Sequence, residues 1–379
     1  MIRRLFAVGA QHNHHGSTTK EQAVPNTEGS RWLLLPALAI AFAVSGCGLS
    51  GADGQDALAE ATIAHSSDDI PEGTSLVVAE QNASRSLPLQ LSGATEELPY
   101  SLEFADFSGG PAVIEALRSG AADIGAIGEA PIPLAVASGV TDIVAIGLEA
   151  NPGSSGGYFL ATQPGSGIET VADLKDKKVA YPPGTGRHMI VAGLLARAGL
   201  DPKTDIEAVE LAGAEVAPTF ASGAVDAAIL TGVQYYKVGS PPIIGDGTGI
   251  NTGINTLIVR RETLEDPAKA AAIGDFVGRS VAANNWITAH PDEWVDAYYV
   301  GTQGMTPEDG KSLLDHIGTG KYYPIDEKST ALFQTVADGL LETGTMATAV
   351  DIRSYVDGRY NDIVDAQNNA DGSEPQPLP

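Results

Sequence analysis

Cysteine and basic residues are scarce in this sequence. One cysteine, Cys47, occurs among 379 residues, which excludes an intrachain disulfide and a metal site built from several thiolates. Lysine and arginine number 22 against 48 acidic residues, a formal net charge of −26. Because no basic surface is left to meet phosphates, a nucleic acid is not an expected partner. The overall field also repels anions, so a bound anion must be held by local dipoles.

A hydrophobic run long enough to cross a bilayer is lacking as well. The apolar stretch 32–44 is too short, and it leads into Ser45-Gly46-Cys47. An apolar segment that ends in small residues and a cysteine resembles the lipobox of bacterial lipoproteins, which implies cleavage before Cys47 and a lipid on its thiol. A plain secretory signal with an incidental cysteine is the alternative. We expect residues 1–47 to be a signal peptide and residues 48–74 a flexible tether.

The short motifs of common catalytic sites are absent from the sequence. It contains no HExxH, no Walker loop, no GxSxG and no Ser/His/Asp constellation. We therefore expect a protein that is not an enzyme and that uses neither a metal ion nor another cofactor.

The stretch 104–131 predicts a helix followed by a buried strand. Ser108-Gly109-Gly110 leads into Pro111, and proline is favoured in the first turn of a helix. After Gly120, the unalternating apolar run 124–127 is typical of a strand buried on both faces. A helix N-terminus and the carboxyl end of a parallel strand are thus brought together. Open α/β sheets bind ligands at this position.

The same pattern returns about a hundred residues later. Residues 119–123 (SGAAD) and 222–226 (SGAVD) match at four of five positions, and each lies between a predicted helix and a predicted strand. A second glycine-containing loop, 182–188, also opens a helix. We therefore predict two similar α/β lobes that face one cleft, with a loop at 231–236 beside it. Residues 255–260 are expected to return as a strand to the first lobe, and 322–324 to form a turn.

Several segments together resemble one family of transport proteins. They are Phe107 with Gly110-Pro111 and Glu115-Ala116-Leu117, the run 120–125 (GAADIG), the run 128–131 (GEAP), 171–175 (VADLK) with 178–180 (KVA), and Gly184-Thr185 with His188. The chain resembles the aliphatic-sulfonate-binding proteins of ABC importers, a group that includes taurine and nitrate binders. The resemblance covers residues 76–230.

The resemblance implies a type II periplasmic-binding-protein fold, in which two doubly wound α/β lobes are joined by a two-segment hinge. The first lobe would comprise residues 75–165 and 252–365, the second 166–251, and residues 366–379 would form a disordered tail. The implied function is capture of a small organic sulfonate between the lobes and its delivery to a membrane permease. The protein would be exported, act as a monomer, and be held by a lipid at Cys47 on the outer face of the cytoplasmic membrane.

The resemblance also implies a ligand site at the loops between the lobes. It places the sulfonate near six residues, which are Gly109, Gly110, Gly128, Glu129, Thr185 and Gly186. Gln81 would lie at the rim of this site. The remaining candidates are Asn82, Ser108, Arg187, His188, Gln234 and Tyr235.

Four of these candidates leave alternatives open. Arg187 either binds sulfonate oxygens in a bidentate manner or faces solvent, and His188 either contacts the ligand or packs at the start of its helix. Glu129 accepts hydrogen bonds from an amino or hydroxyl group of the ligand or from backbone. Tyr235, like Tyr158 and Tyr236, lines a pocket for the organic tail or packs in the core.

The identity of the ligand is the least determined feature. The family often carries Trp-Asp-Pro after the strand at 226–230, whereas this chain has Thr231-Gly232-Val233-Gln234. Taurine, nitrate or a pyrimidine precursor are therefore alternative ligands. Two other classes of protein are alternatives to a transport protein. Pyrimidine-precursor synthases share the fold, but their relatives depend on a cysteine cluster that is absent here. A sensor that presents its closed form to a membrane receptor is the other.

Overall fold

The computed structural model describes residues 70–151, 153, 157–370 and 378. The predicted signal peptide with Cys47, and the tether up to residue 69, lie outside the described residues. The end of the predicted tether belongs to the folded body, because Ile70 is buried in its core.

Eleven strands occur among the described residues. In chain order they are β1 (Ser75–Glu80), β2 (Ser101–Asp106), β3 (Ile124–Gly128), β4 (Ile143–Ala150), β5 (Tyr158–Thr162), β6 (Lys178–Tyr181), β7 (Glu207–Glu210), β8 (Ala227–Thr231), β9 (Ile243–Asp246), β10 (Ile254–Arg260) and β11 (Lys321–Tyr323).

The helices alternate with these strands and then dominate the last third of the chain. They are α1 (Ser86–Leu91), α2 (Gly110–Arg118), α3 (Pro131–Ala137), α4 (Gly186–Arg197), α5 (Val216–Ala221), α6 (Gly232–Lys237), α7 (Pro267–Ala289), α8 (Pro291–Trp294), α9 (Pro307–Ile317), α10 (Glu327–Glu342) and α11 (Asn361–Ala370). A π-helical stretch, Val295–Thr302, continues α8, and short 3-10 turns occupy Val171–Leu174, Arg261–Glu265 and Ile352–Tyr355.

The strands form two sheets built on the same plan. The six-stranded sheet has the order β11-β4-β10-β3-β1-β2, and the five-stranded sheet has the order β7-β6-β8-β5-β9. In each sheet a parallel triplet, β2-β1-β3 or β7-β6-β8, is followed by an antiparallel strand, β10 or β5. The repeated helix–strand pattern corresponds to α2–β3 and α5–β8, so the predicted pair of similar units is confirmed.

Helices cover both faces of each sheet, as expected for a doubly wound fold. In β1, Val78 packs into one apolar cluster and Ala79 into another, because successive strand residues point to opposite faces. In β8, Ile229 and Leu230 divide in the same way between the clusters around α4 and α5. A strand buried on both faces needs a continuous apolar run, which is why residues 124–127 and 227–230 contain no charge.

The chain crosses between the sheets twice. The first crossing, 151–157, joins β4 to β5, and the second, 247–253, joins β9 to β10. We call residues 70–150 and 254–370 the first lobe and residues 158–246 the second lobe. The predicted division at residue 165 placed β5 with the first lobe, but β5 pairs with β8 and β9 and so lies in the second sheet. The predicted return of 255–260 to the first sheet is confirmed by the pairing of β10.

Three local predictions are wrong. Residues 232–237 form helix α6 and not a loop, because Thr231 and Gln234 form a capping box in which each side chain bonds the other's backbone. Residues 322–323 belong to strand β11, which pairs with the edge of β4. The chain also remains helical to Ala370 in α11, so the predicted tail begins no earlier than residue 371, where the described residues end except for residue 378.

None of the helices in the described part of the chain combines the length and the apolarity that a membrane crossing requires.

Candidate ligand-binding site

A cavity of about 600 Å³ lies where the carboxyl ends of strands from both sheets meet. Gln81 follows β1, Ser108 follows β2 and Gly128 ends β3, while in the second lobe Thr185 follows β6 and Gly213 follows β7. Equivalent strands of the two parallel triplets therefore supply the two walls. We call this cavity the cleft.

The cleft brings together ten of the thirteen residues predicted for the site. They are Gln81, Asn82, Ser108, Gly109, Gly110, Gly128, Thr185, Gly186, Arg187 and Gln234. The other three, Glu129, His188 and Tyr235, do not line it.

Arg187 is the most unusual residue of the cleft. It lies in the first turn of α4 and is 9% exposed, so the alternative of a solvent-facing side chain is excluded. Its Nη1 donates to Gln234 Oε1 at 2.9 Å, and no carboxylate of the described residues lies within ion-pair distance of it. Burial lowers the pKa of Arg187 because the charged form loses water. The positive end of the α4 dipole adds to this cost. A bound anion would offset both the lost hydration of the guanidinium and its repulsion by the helix dipole.

Gln234 holds Arg187 in place. Its Oε1 also accepts from Thr231 N at 3.2 Å, and its Nε2 donates to Gly213 O at 2.8 Å. Both ends of this amide are therefore bonded to protein. Gln234 lines the cleft but acts through the groups that it positions.

The charge of the cleft is opposite to that of the whole chain. Its charged lining residues are Arg187 and, at the exposed end of α6, Lys237; no Asp or Glu lines it among the described residues. In a chain with a formal net charge of −26, a cavity lined by two cations and no acid is a local exception. The cleft therefore favours an anion by its composition.

Two helix N-termini supply further donors. α2 begins at Gly110 with Gly109 as its N-cap, and α4 begins at Gly186 with Thr185 as its N-cap. The first N–H groups of a helix have no carbonyl partner within it, so they can bind an anion. α2 offers mainly the Gly110 N–H, because Pro111 has none and the Ala112 N–H donates to Gly109 O at 3.1 Å; in α4 the bond to Thr185 O comes from Met189 N, after three earlier N–H groups. The Thr185 hydroxyl donates to Pro182 O at 2.8 Å, which leaves its lone pairs free to accept.

Glu129 bonds the second crossing and does not face the cleft. Its Oε2 accepts from Thr252 N at 3.0 Å and from Ile254 N at 3.2 Å, and it also accepts from the Thr252 hydroxyl. Of the two alternatives for this residue, bonding to backbone is the one observed. Burial raises the pKa of Glu129 to about 7, although these hydrogen bonds favour the charged form.

His188 and Tyr235 pack inside the second lobe. The His188 ring stacks on Tyr181 with centroids 4.8 Å apart, and its Nδ1 accepts from Gly184 N at 3.4 Å. Tyr235 packs against Phe159 at 4.6 Å between centroids. For both residues, packing is the alternative that the structure favours.

The two lobes touch at the mouth of the cleft. A Cβ built at Gly213 would lie 2.8 Å from the Ser108 carbonyl oxygen of the first lobe, and one at Gly184 would lie 3.3 Å from Pro111 Cγ. Gly184 also has a φ of +69°, a conformation that glycine adopts without strain. The two lobes are therefore in contact at these two points.

The chain matches a family of known transport proteins over more than half of its length. The family model is described as an ABC transporter, phosphonate, periplasmic substrate-binding protein, and it matches residues 95–329. This chain belongs to that family. It is accordingly a transporter component and not an enzyme, and the family's description is that of exported, periplasmic proteins.

Individual relatives of this substrate-binding protein carry names from sulfonate transport. One from Escherichia coli (strain K12), named for binding aliphatic sulfonates, is 29% identical over 305 residues, which is 79% of this chain and 93% of the relative. The crystal structure of the aliphatic sulphonate binding protein SsuA from Escherichia coli has a TM-score of 0.62 at 28% identity, covering 75% of this chain and 92% of that one.

A third comparison supports the fold. The alkanesulfonate-binding protein SsuA from Xanthomonas axonopodis pv. citri, bound to MOPS, has a TM-score of 0.67 at 24% identity and covers 76% of this chain and 99% of that one. The predicted two-lobed periplasmic-binding-protein fold is confirmed.

Sequence patterns did not point to several lining residues of this substrate-binding protein. They are Gly213, Ala214, Lys237, Tyr298 and Gln303. The pattern Thr231-x-x-Gln234 was the available signal for α6, since a threonine followed three residues later by glutamine is typical of a helix start. Tyr298 and Gln303 lie in the last third of the chain, and no sequence pattern places a residue of that part beside a cleft whose other lining residues come from the first two thirds.

Titration of Glu129 is expected to make stability depend on pH. The native state keeps a proton on Glu129 up to about pH 7, whereas an unfolded glutamate releases it near 4.5, so the free energy of unfolding should fall as pH rises through this range. Glu129→Gln removes this titration. As pH rises from 4.5 to 8, the free energy of unfolding of the wild type should fall by up to about 3 kcal/mol relative to that of the variant. Urea unfolding at each pH measures this difference. The exposed Glu103→Gln is the control. If the free energies of unfolding of the wild type and Glu129→Gln differ by the same amount at every pH, the raised pKa of Glu129 is contradicted.

Proposed function

We propose that this substrate-binding protein captures a small organic sulfonate in its cleft and presents it to the membrane permease of an ABC importer. The observation that carries the proposal is the buried Arg187 guanidinium, which has no carboxylate partner among the described residues and lines a cavity without acids. The names of the relatives point to the same class of ligand.

The chemistry of the sulfonate group fits these donors. A sulfonate carries one negative charge at every accessible pH, so its site needs hydrogen-bond donors and no titrating base. Arg187 supplies one buried positive charge, and the first turns of α2 and α4 supply N–H groups. One buried cation against one ligand charge avoids an uncompensated charge in the closed cleft.

The size of the cleft favours an organic ligand over a small inorganic anion. Nitrate has the same charge as a sulfonate but would fill little of a cavity of about 600 Å³. The cleft continues past the anion donors along Tyr158, Val233 and Tyr298, which offer apolar surface to an organic tail.

A phosphonate is the second candidate, because the family model is described for phosphonate. A phosphonate near neutral pH carries between one and two negative charges, so it needs more positive charge than Arg187 alone provides. Lys237 is the other cation of the cleft, but it is exposed at the rim. The buried charge therefore favours the monoanion.

Arg187 is the residue whose replacement tests the proposal. We expect the wild type to bind alkanesulfonates more tightly than alkylphosphonates of the same chain length in isothermal titration calorimetry. Arg187→Met should weaken sulfonate binding by about 10- to 100-fold, as loss of a hydrogen bond to a charged group does. Its free energy of unfolding should not fall, because the variant no longer buries an unpaired charge.

The matched control is Arg353→Met, whose side chain is 84% exposed in the native protein. It should leave sulfonate affinity unchanged. Equal sulfonate affinity of the wild type and Arg187→Met would overturn the proposed site. Tighter binding of phosphonates than of sulfonates by the wild type would favour the second candidate.

We also propose that the exported protein is anchored to the cell envelope by a lipid on Cys47. The support is the apolar stretch 32–44 followed by Ser45-Gly46-Cys47. Radiolabelled fatty acid should be incorporated into the wild type and not into Cys47→Ser, and the variant should be found in the soluble fraction. Incorporation that survives the substitution would disprove the anchor at this residue.

A further inference from the structure

A second contact between the lobes joins α9 of the first lobe to α6 of the second. Leu313 of α9 is 2% exposed, and its methyl groups lie against the backbone of Gly232, the first residue of α6. A Cβ built at Gly232 would overlap Leu313 Cδ1 and would lie 2.9 Å from Cδ2 and 3.2 Å from Cγ. The glycine therefore permits a closer approach of the two helices than any larger residue would allow.

α9 is also fixed to the first lobe. A Cβ built at Gly310 would lie 2.8 Å from Tyr299 Cβ, so α9 packs directly on the π-helical stretch. Leu313 belongs to one apolar cluster with Trp294 and Tyr299, and Leu87 of α1 packs against this cluster. Because these residues hold α9 in place, Leu313 offers α6 a fixed surface of contact.

The contact lies at the start of the helix that positions the buried guanidinium. Gly232 follows Thr231, which forms the capping box of α6 together with Gln234. The Oε1 atom of Gln234 accepts the hydrogen bond from Arg187 Nη1 at 2.9 Å. A shift of α6 would therefore move the acceptor that holds Arg187 in the cleft.

Other residues of the second lobe extend the contact. Val233 and Tyr236 of α6 pack against the same apolar cluster. The His316 ring of α9 stacks on Phe159 of β5, with centroids 5.8 Å apart. The contact is thus made of apolar and aromatic groups, and close packing of such groups resists displacement. It can fix the position of α6 without placing a carboxylate beside the anion site.

We infer that Leu313 is a positioning residue for the anion site. Through its contact with Gly232 it holds α6 in place, and α6 carries Gln234, the hydrogen-bond partner of Arg187. The anion site of the second lobe is then complete only while α9 of the first lobe rests on α6. The expected effect on sulfonate affinity rests on the proposed function, whereas the effect on the guanidinium can be measured without a ligand.

Titration of an alkanesulfonate into the full-length protein by calorimetry measures the effect on binding. Leu313→Ala removes the side chain on which α6 rests, and Gly232→Ala adds a Cβ that overlaps it, so each should weaken binding by about tenfold. The double variant should recover part of this loss, because the added methyl group takes space that the truncated leucine leaves. Leu340→Ala, in the core beside α10 and outside the cleft lining, is the control and should leave sulfonate affinity unchanged.

A double-mutant cycle decides whether Leu313 acts through Gln234. Gln234→Leu removes the partner of Arg187, so Leu313→Ala should cause little further loss of affinity in that background. If Leu313→Ala weakens binding by the same factor with and without Gln234, the inference is overturned. Equal sulfonate affinity of the wild type and Leu313→Ala would overturn it as well.

Nitrogen-15 NMR of the arginine side chains observes the site in the absence of a ligand. The Arg187 signal, identified by its loss in Arg187→Met, should shift or broaden in Leu313→Ala and stay in place in Leu340→Ala, because only Leu313→Ala releases α6. An Arg187 signal that is unchanged in Leu313→Ala would contradict the positioning role. If the wild type binds no sulfonate, the proposed function fails, and this NMR result still decides whether Leu313 positions Arg187.

Discussion

The arrangement of the cleft depends on one buried guanidinium. Arg187 is taken out of water at the positive end of a helix dipole, and the protein gives it a single described neutral partner, Gln234. Gln234 is itself fixed by the capping box of α6 and by the carbonyl of Gly213, so the ends of β7 and β8 both bear on the position of the charge. The guanidinium therefore loses its hydration at the place where the two lobes meet, at a cost in folding free energy. A site of this kind is incomplete until an anion enters it.

The first lobe contributes a different constraint. Glu129 follows β3, directly beside the cleft, yet its carboxylate points to the second crossing and bonds Thr252 and Ile254. A residue that the motif placed near the ligand thus connects β3 to the second crossing. Because the carboxyl is buried and its pKa is raised to about 7, the strength of this connection changes with protonation near neutral pH.

Much of this architecture could be predicted from short-range patterns. Unalternating apolar runs gave the buried strands, and the glycine and proline positions gave the helix starts, so that Ser108–Gly110 and Thr185–Arg187 were placed together correctly. Side-chain direction could not be predicted in this way: Glu129 and His188 lie next to cleft residues in the sequence but turn into the protein. The position of Tyr298 beside the cleft could not be predicted for another reason. Tyr298 lines the cleft because α8 and its π-helical continuation pack in one apolar cluster with Leu87 of α1 and Val233 of α6, long-range contacts that local sequence does not encode.

The contact between the lobes at the mouth of the cleft has a consequence for the free energy of lobe contact. It is made by the backbone of Gly213 and Ser108 and by Gly184 against the ring of Pro111. Glycine and proline have almost no rotamer freedom to lose, so closure here freezes few side chains and gains little apolar burial. These four residues therefore contribute little to the free energy of contact between the lobes. The apolar contact is made elsewhere, where Val233 and Tyr236 of α6 pack against the cluster that contains Trp294 and Leu313, so most of the hydrophobic stabilisation of the lobe contact lies outside the mouth of the cleft.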